Sequence, residues 1–176
     1  MNVADFSFDL PAELVAQFPP ERRGASRLLV LDRRTGAVVH SAIEEIARFL
    51  GPGDLLVFND TKVFPARLIG ERVPGGGAVE VMLVSRVDDE RWEALVHPGQ
   101  RMRPGRRVRF ERGGRTLHGE VLEERHFGRR LVRFWTSDAG TVMDAVEAIG
   151  HIPLPPYIKR PDLDLDRERY QTVFAR

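Results

Sequence analysis

The runs RLIGERV (67–73), AVEVMLVSRV (78–87), RWEALVH (91–97), RRVRFE (106–111), RTLHGEVL (115–122) and RRLVRFW (129–135) set apolar against polar residues in short alternating stretches. That period of two is the signature of half-buried strands. Between the runs stand turn clusters at 74–77, 88–90, 98–99, 113–114 and 124–128, rich in Gly, Pro and Asp. About six short antiparallel strands spaced by turns predict a small barrel or sandwich, and closure would remove exposed strand edges.

Upstream the texture is mixed. Residues 11–18 place Leu14, Val15 and Phe18 on one face between Pro11 and Pro19-Pro20, which predicts one short helix. RLLVLD (27–32) and residues 37–40, separated by Arg34-Thr35-Gly36, predict a hairpin. Ser41 followed by Glu44 forms a capping box, so a helix carrying Ile43, Ile46, Ala47 and Leu50 is expected before Gly51-Pro52-Gly53. DLLVF (54–58) is short and uniformly apolar, as in a strand buried on both faces.

Downstream, Val142, Ala145, Val146 and Ile149 share a helical face, with Asp138 or Thr141 as the cap. Three prolines then force GHIPLPPYIKR (150–160) into an extended path. Residues 162–176 are charged and begin another helix, and Val173 and Phe174 near its end suggest a fold that continues past residue 176.

The 176 residues, 42% hydrophobic, can bury a core without staples. No stretch has the roughly 18 apolar residues of a membrane helix, and residues 1–10 lack the pattern of a signal peptide. Cysteine is absent, which excludes a disulfide scaffold, a thiol nucleophile and a thiolate zinc site and makes a reducing cytoplasm the simplest home. The net charge of +1 hides an excess of +5 over residues 86–133 against −2 on either side. Arg101, Arg103, Arg106, Arg107, Arg109, Arg112 and Arg115 face one acid, Glu111, a footprint suited to a phosphate backbone. Base composition of the gene explains the same excess, since Lys62 and Lys159 are the only lysines among 27 basic residues.

Three segments can carry chemistry. DLLVFNDTKVFPARL (54–68) brings a polar group to a strand end: Asn59 and Asp60 offer acceptors and a donor, Lys62 and Arg67 positive charge. An ordinary turn accounts for Asn-Asp as well. In GHIPLPPYIKR, His151 is suited to a general base, and the prolines present Tyr157, Lys159 and Arg160 at low ordering cost. A helix-capping His151 and an interdomain linker fit too. DRERYQTVFAR (166–176) offers Tyr170 and Gln171, or simply a charged helix face, and Arg22, Arg23, Ser26 and Arg27 can hold a phosphate or line a solvated loop. A glycine-rich dinucleotide turn, a P-loop, a zincin motif and a nucleophile elbow are all missing.

In order, FDLPAELVAQFP, SRLLVLDRRTG, GDLLVFNDTKVFPARL, WEALVHPGQRMRPG, GHIPLPPYIKR and DRERYQTVFAR resemble the N-terminal half of the S-adenosylmethionine:tRNA ribosyltransferase-isomerase family of queuosine biosynthesis, from Phe6 to Arg176. The resemblance implies an α/β (α+β) main domain, residues 1–62 plus 150–176, with a small six-stranded antiparallel β-barrel, residues 63–149, inserted in it. It implies a transferase that moves and isomerises the ribosyl part of S-adenosylmethionine onto 7-aminomethyl-7-deazaguanine at the tRNA wobble position. Epoxyqueuosine forms while adenine and methionine leave. No metal or other cofactor is implied; S-adenosylmethionine is a substrate and the tRNA anticodon arm a partner.

On this resemblance His151 is the candidate base, with Asp60 second, as base or as a carboxylate facing the sulfonium. Lys62, Arg67, Lys159 and Arg160 would meet tRNA phosphates or the methionine carboxylate, beside Asn59 and Thr61. Tyr157 or Tyr170 would stack on a splayed base, and Arg103, Arg106 and Arg107 would bind tRNA. Family members continue past this point into a further segment, so part of the site is expected elsewhere. A truncated, non-catalytic tRNA-binding module is the alternative.

Overall fold

In the computed structural model, which describes residues 2–176, the six alternating runs close into an antiparallel barrel. Its strands are β3 (Arg67–Val73), β4 (Ala78–Arg86), β5 (Arg91–His97), β6 (Arg107–Arg112), β7 (Arg115–Glu124) and β8 (Arg129–Trp135), in the spatial order β3-β4-β5-β8-β7-β6. Every second residue points inward: Val79, Val81 and Leu83 on β4, Trp92, Ala94 and Val96 on β5, Leu117 and Val121 on β7. Phe110 and Phe134 fill the middle with ring centroids 6.3 Å apart. Glycine makes room for them. A Cβ on Gly119 would lie 3.1 Å from both Phe134 and Val108, and one on Gly70 would lie 2.2 Å from the Arg109 carbonyl oxygen. Large and small residues thus alternate as a narrow barrel requires.

The strand registers sort the loops. Val73 stands opposite Arg107, Glu80 opposite His97, Leu95 opposite Arg129 and Glu124 opposite Arg130. Loops 74–77, 98–106 and 125–128 therefore share one end of the barrel. In the last of these, Phe127 adopts φ 57° and ψ 34° and Gly128 φ 77°. The left-handed region costs a non-glycine residue about 1–2 kcal/mol. At the opposite end, α1 (Val142–Ile149) adds Val142, Ala145, Val146 and Ile149 to the barrel core. Thr141 caps it: its Oγ1 accepts the Asp144 N–H at 3.2 Å while Asp144 accepts the Thr141 N–H at 2.7 Å.

The chain divides into two compact units. The barrel unit holds Asp60–Pro155 and Pro161–Arg176, including the short helix α2 (Asp164–Arg169). The other unit holds Pro156–Arg160 and the described residues up to Asn59. Within it β1 (Arg27–Leu31) and β2 (Val38–Ala42) form the expected hairpin. Asp32 closes the turn by accepting the N–H groups of Arg34 and Thr35 at 2.8 and 3.1 Å, which holds its carboxyl below the usual range.

Three local expectations in this unit are corrected. Residues 11–18 give only a 3₁₀ turn at Ala12–Leu14, because a stretch confined between prolines is too short to sustain the costly helix nucleus. Ser41 does not cap a helix: β2 runs on to Ala42, and the Ile43 N–H donates to Ser26 O at 2.9 Å, so a 3₁₀ segment begins only at Ile43. Residues 54–58 form no strand, and Leu55 and Val57 are each 87% exposed. A strand covered on both faces needs sheet neighbours, and the two strands of this unit pair with each other.

Candidate active site

His151 begins where α1 ends, and two arginines fix that end. The Gly150 carbonyl accepts Arg112 at 3.2 Å and Arg167 at 2.8 Å, and Arg167 also donates to Glu147 O at 3.0 Å. These guanidinium groups satisfy the carbonyls and negative pole of the helix, which relieves His151 of the capping role. Its backbone forms an antiparallel bridge with Arg67, with N–H···O distances of 3.2 and 2.8 Å. The imidazole is thereby held against the first residue of the barrel.

His151 Nδ1 lies 2.6 Å from Asp162 Oδ1, and the Ile152 N–H donates to Asp162 Oδ2 at 3.0 Å. Burial pushes the Asp162 carboxyl up, but the His151 hydrogen bond, the Ile152 N–H and the His151 charge outweigh it, and the net direction is down. An ionised carboxylate only accepts, so the proton of neutral His151 sits on Nδ1 and the Nε2 lone pair is left to act. The His151 side chain is 25% exposed and that of Asp162 7%, so the imidazole is reachable while the carboxylate it bonds is shielded. Sequence reading missed Asp162. Its signal, an acid eleven residues beyond the histidine, reads as surface charge until the chain folds back.

Arg67 joins the same cluster. Its guanidinium donates to Glu80 at 2.7 Å, and that bond, with the Glu80 and Asp162 charges, holds its pKa above the ordinary value despite burial. Its Nε is buried without a hydrogen-bond acceptor. Gln171 clamps the backbone: its amide both accepts the Val63 N–H at 2.8 Å and donates to Val63 O at 2.7 Å. Asp60, Thr61 and Lys62 precede that clamp as exposed chain outside any helix or strand, and the Arg176 N–H donates to Asp60 O at 3.2 Å. Tyr170, 38% exposed, ends α2.

The remaining predicted residues of the strap belong to the other unit, as does the exposed Asn59. There the Gln17 side chain reads the strap's backbone, accepting the Lys159 N–H at 2.7 Å and donating to Tyr157 O at 3.1 Å. Arg160 donates to Gln17 O at 2.8 Å and stacks over the Phe18 ring at 4.5 Å. These groups rim a groove of about 600 Å³ with an apolar floor of Leu10, Ala12 and Val15. Gln17, unremarked in the sequence, organises it.

Of the barrel arginines, Arg107 is bonded to Glu120 at 3.2 Å and Arg109 to Glu71 at 2.6 Å. Arg103 and Arg106 are exposed in the turn 103–106, where Gly105 takes φ 82° and the Arg106 N–H donates to Arg103 O at 3.0 Å. Among the described residues, no group of three His, Asp or Glu side chains is placed to hold a metal ion, and no helix is long and apolar enough to cross a membrane.

Comparison with known proteins places these features in context. The S-adenosylmethionine:tRNA ribosyltransferase-isomerase of Symbiobacterium thermophilum is 47% identical over 176 residues, and that of Caldanaerobacter subterraneus subsp. tengcongensis 46%. In each case all of this chain is covered, and it spans about half (50%) the length of the relative. The crystal structure of S-adenosylmethionine tRNA ribosyltransferase from Thermotoga maritima is 39% identical, with 74% of this chain and 44% of that one covered and a TM-score of 0.36. The family model described as "Queuosine biosynthesis protein" matches residues 3–176, so nearly every segment discussed above, from the hairpin to the histidine strap, lies within it, and the chain belongs to that family.

Proposed function

We propose that this chain supplies one half of a cytoplasmic S-adenosylmethionine:tRNA ribosyltransferase-isomerase. It acts with S-adenosylmethionine as substrate and the anticodon arm of a tRNA carrying 7-aminomethyl-7-deazaguanine, and uses no further cofactor. The observation that carries the chemical reading is the His151–Asp162 pair at the barrel mouth. The sulfonium acidifies the adjacent ribose C5′ protons. His151 Nε2 removes one of them, and Asp162 holds the imidazolium that results. Departing adenine needs a proton donor, and the imidazolium is the nearest acid made by the first step. Asp60 favours the sulfonium as a carboxylate; Lys62, with Thr61 in its own unit, and Lys159 and Arg160, with Asn59 in theirs, each offer charge to the methionine carboxylate or to phosphates. Arg67, already paired with Glu80, orients rather than captures. Tyr157 and Tyr170, both exposed, are the stacking candidates. In this reading the barrel is an insertion in a larger α/β domain.

Incubating the chain with S-adenosylmethionine and precursor-bearing tRNA and following adenine release tests the reaction. Release supports it. Salt-sensitive tRNA binding without release favours the alternative, a binding module, which the uncompensated arginines of the barrel support on their own. For either, Arg103→Ala and Arg106→Ala are each expected to lower the slope of log K against log salt by about one. Arg107→Ala should change it less, since Glu120 already neutralises that guanidinium. Slopes unchanged from that of the unaltered chain in all three variants would remove the barrel from the RNA surface.

A further inference from the structure

Phe127 is 95% exposed at the tip of the β7–β8 hairpin and occupies the left-handed region. Among the described residues its one aromatic neighbour is His126, with ring centroids 6.5 Å apart and tilted by 58°. Folding gains nothing from this arrangement. An apolar ring is left in water, on a backbone conformation that glycine or asparagine would adopt at less cost. Strain kept at a surface tip, where no packing calls for it, is the kind of feature that marks a binding group.

The surroundings indicate what it would bind. Loop 98–106 is bonded to the start of β8, the strand that follows 125–128, through Arg130, whose Nε donates to Met102 O at 3.3 Å and Nη2 to Gly99 O at 3.4 Å. The same end of the barrel therefore presents Arg101, Arg103 and Arg106, all exposed. Among the described residues none of the three has a carboxylate within ion-pair distance, unlike Arg125 and Arg129, which Glu93 holds at 2.6 and 3.1 Å. One projecting ring at the same end of the barrel as uncompensated guanidinium groups matches single-stranded nucleic acid, in which phosphates need cations and an unstacked base needs an apolar face. A protein partner would call for a continuous apolar patch, yet the cleft beside the ring is lined by Glu93, Glu123, Glu124, Arg125 and Arg129.

We propose that the His126-Phe127-Gly128 tip is a base-stacking finger: Phe127 receives an unpaired base of an RNA whose backbone crosses Arg101, Arg103 and Arg106. The finger rests on the reading of the barrel as a tRNA-binding module and adds to it a preference for unpaired nucleotides.

The test uses the 176-residue chain, an RNA stem-loop with 2-aminopurine in its loop, and a blunt duplex of the same length. Phe127→Asn should raise the melting temperature by a few degrees, because asparagine accepts the left-handed region. It should weaken stem-loop binding about 5- to 100-fold, the range expected for one lost base stack. The quenching of 2-aminopurine should disappear, while the salt slope and duplex binding stay unchanged. Phe127→Trp should retain both affinity and quenching. Stem-loop binding by Phe127→Asn equal to that of the unaltered chain, with normal salt dependence, overturns the finger and leaves the barrel reading standing. If Phe127→Asn instead abolishes self-association with RNA affinity untouched, the tip is a protein contact and the finger is likewise overturned. Failure of the unaltered chain to bind either RNA removes the tRNA reading of the barrel, and the finger with it.

Discussion

Asp162→Asn is expected to lower adenine release by about 10⁴-fold while tRNA affinity holds, the scale seen when an orienting carboxylate is lost from a histidine base. Asp162 makes two bonds, one from the Ile152 N–H and one with His151 Nδ1. Asparagine can keep the first through its carbonyl, which turns its NH₂ toward His151. An NH₂ donor there requires a lone pair on Nδ1, so the imidazole proton moves to Nε2, the atom that accepts in the proposed mechanism. His151→Ala should match this loss. Were Asp162 only a clamp for the strap, thermal stability would fall with turnover; in the reading above turnover falls far more. Turnover within a few-fold of the unaltered protein would reject His151 as the base.

The pH dependence separates the two roles further. The folded-state pKa of Asp162 lies below its unfolded value of about 3.9, so its stabilisation is present above that pH and lost as pH falls through the depressed value. The melting-temperature gap between the unaltered chain and Asp162→Asn should therefore stay level from neutrality to about pH 5 and close only in stronger acid. A gap that closes well above about pH 5 would mean that ionisation of the Asp162 carboxyl does not sustain it.

Gly150→Ala is expected to destabilise the barrel unit by about 3 kcal/mol, at the upper end for overpacking, read as a lower urea midpoint with unchanged slope. A Cβ at this position would stand 2.1 Å from Pro65 O and 2.6 Å from Val146 O. Both are backbone atoms, so no rotamer change relieves the clash. The Gly150 dihedrals, φ −66° and ψ 155°, suit any residue, so the cost is wholly one of space. Separation of the 65–67 and 150–151 segments would also break the Arg67–His151 bridge. Gly99→Ala is the control: its Cβ would sit 3.6 Å from Arg130 Nη2, an ordinary contact. An unshifted midpoint for Gly150→Ala would show that the junction is looser than its geometry implies.

The residues of the barrel were legible because each strand's two faces meet different surroundings, and Val79-Glu80-Val81 records that difference locally. Thr141 and Asp144 were as legible, since a cap bonds within one helical turn. DLLVF was misread for the converse reason: its composition describes the neighbours it would need, and they are not among the strands that pair in its unit. His151 could be named as a base from its chemistry, yet Asp162, Gln17 and Gln171 could not be given roles. Each acts on a residue 10 to 142 positions away along the chain.

By itself, then, the amino-acid order determined the six strands, the hairpin, the capped helix and the excess of arginine, all of which are written in spacing or composition, whereas the proline segment, expected to be extended throughout, turns at Pro156-Tyr157. Only the folded chain decided which arginines remain uncompensated, which carboxylate orients His151, and that Phe127 projects at the same end of the barrel as Arg101, Arg103 and Arg106. Barrel closure pairs strands distant in sequence and sorts their loops to two ends, and the neutralising or orienting partner of a charge is chosen by that sorting.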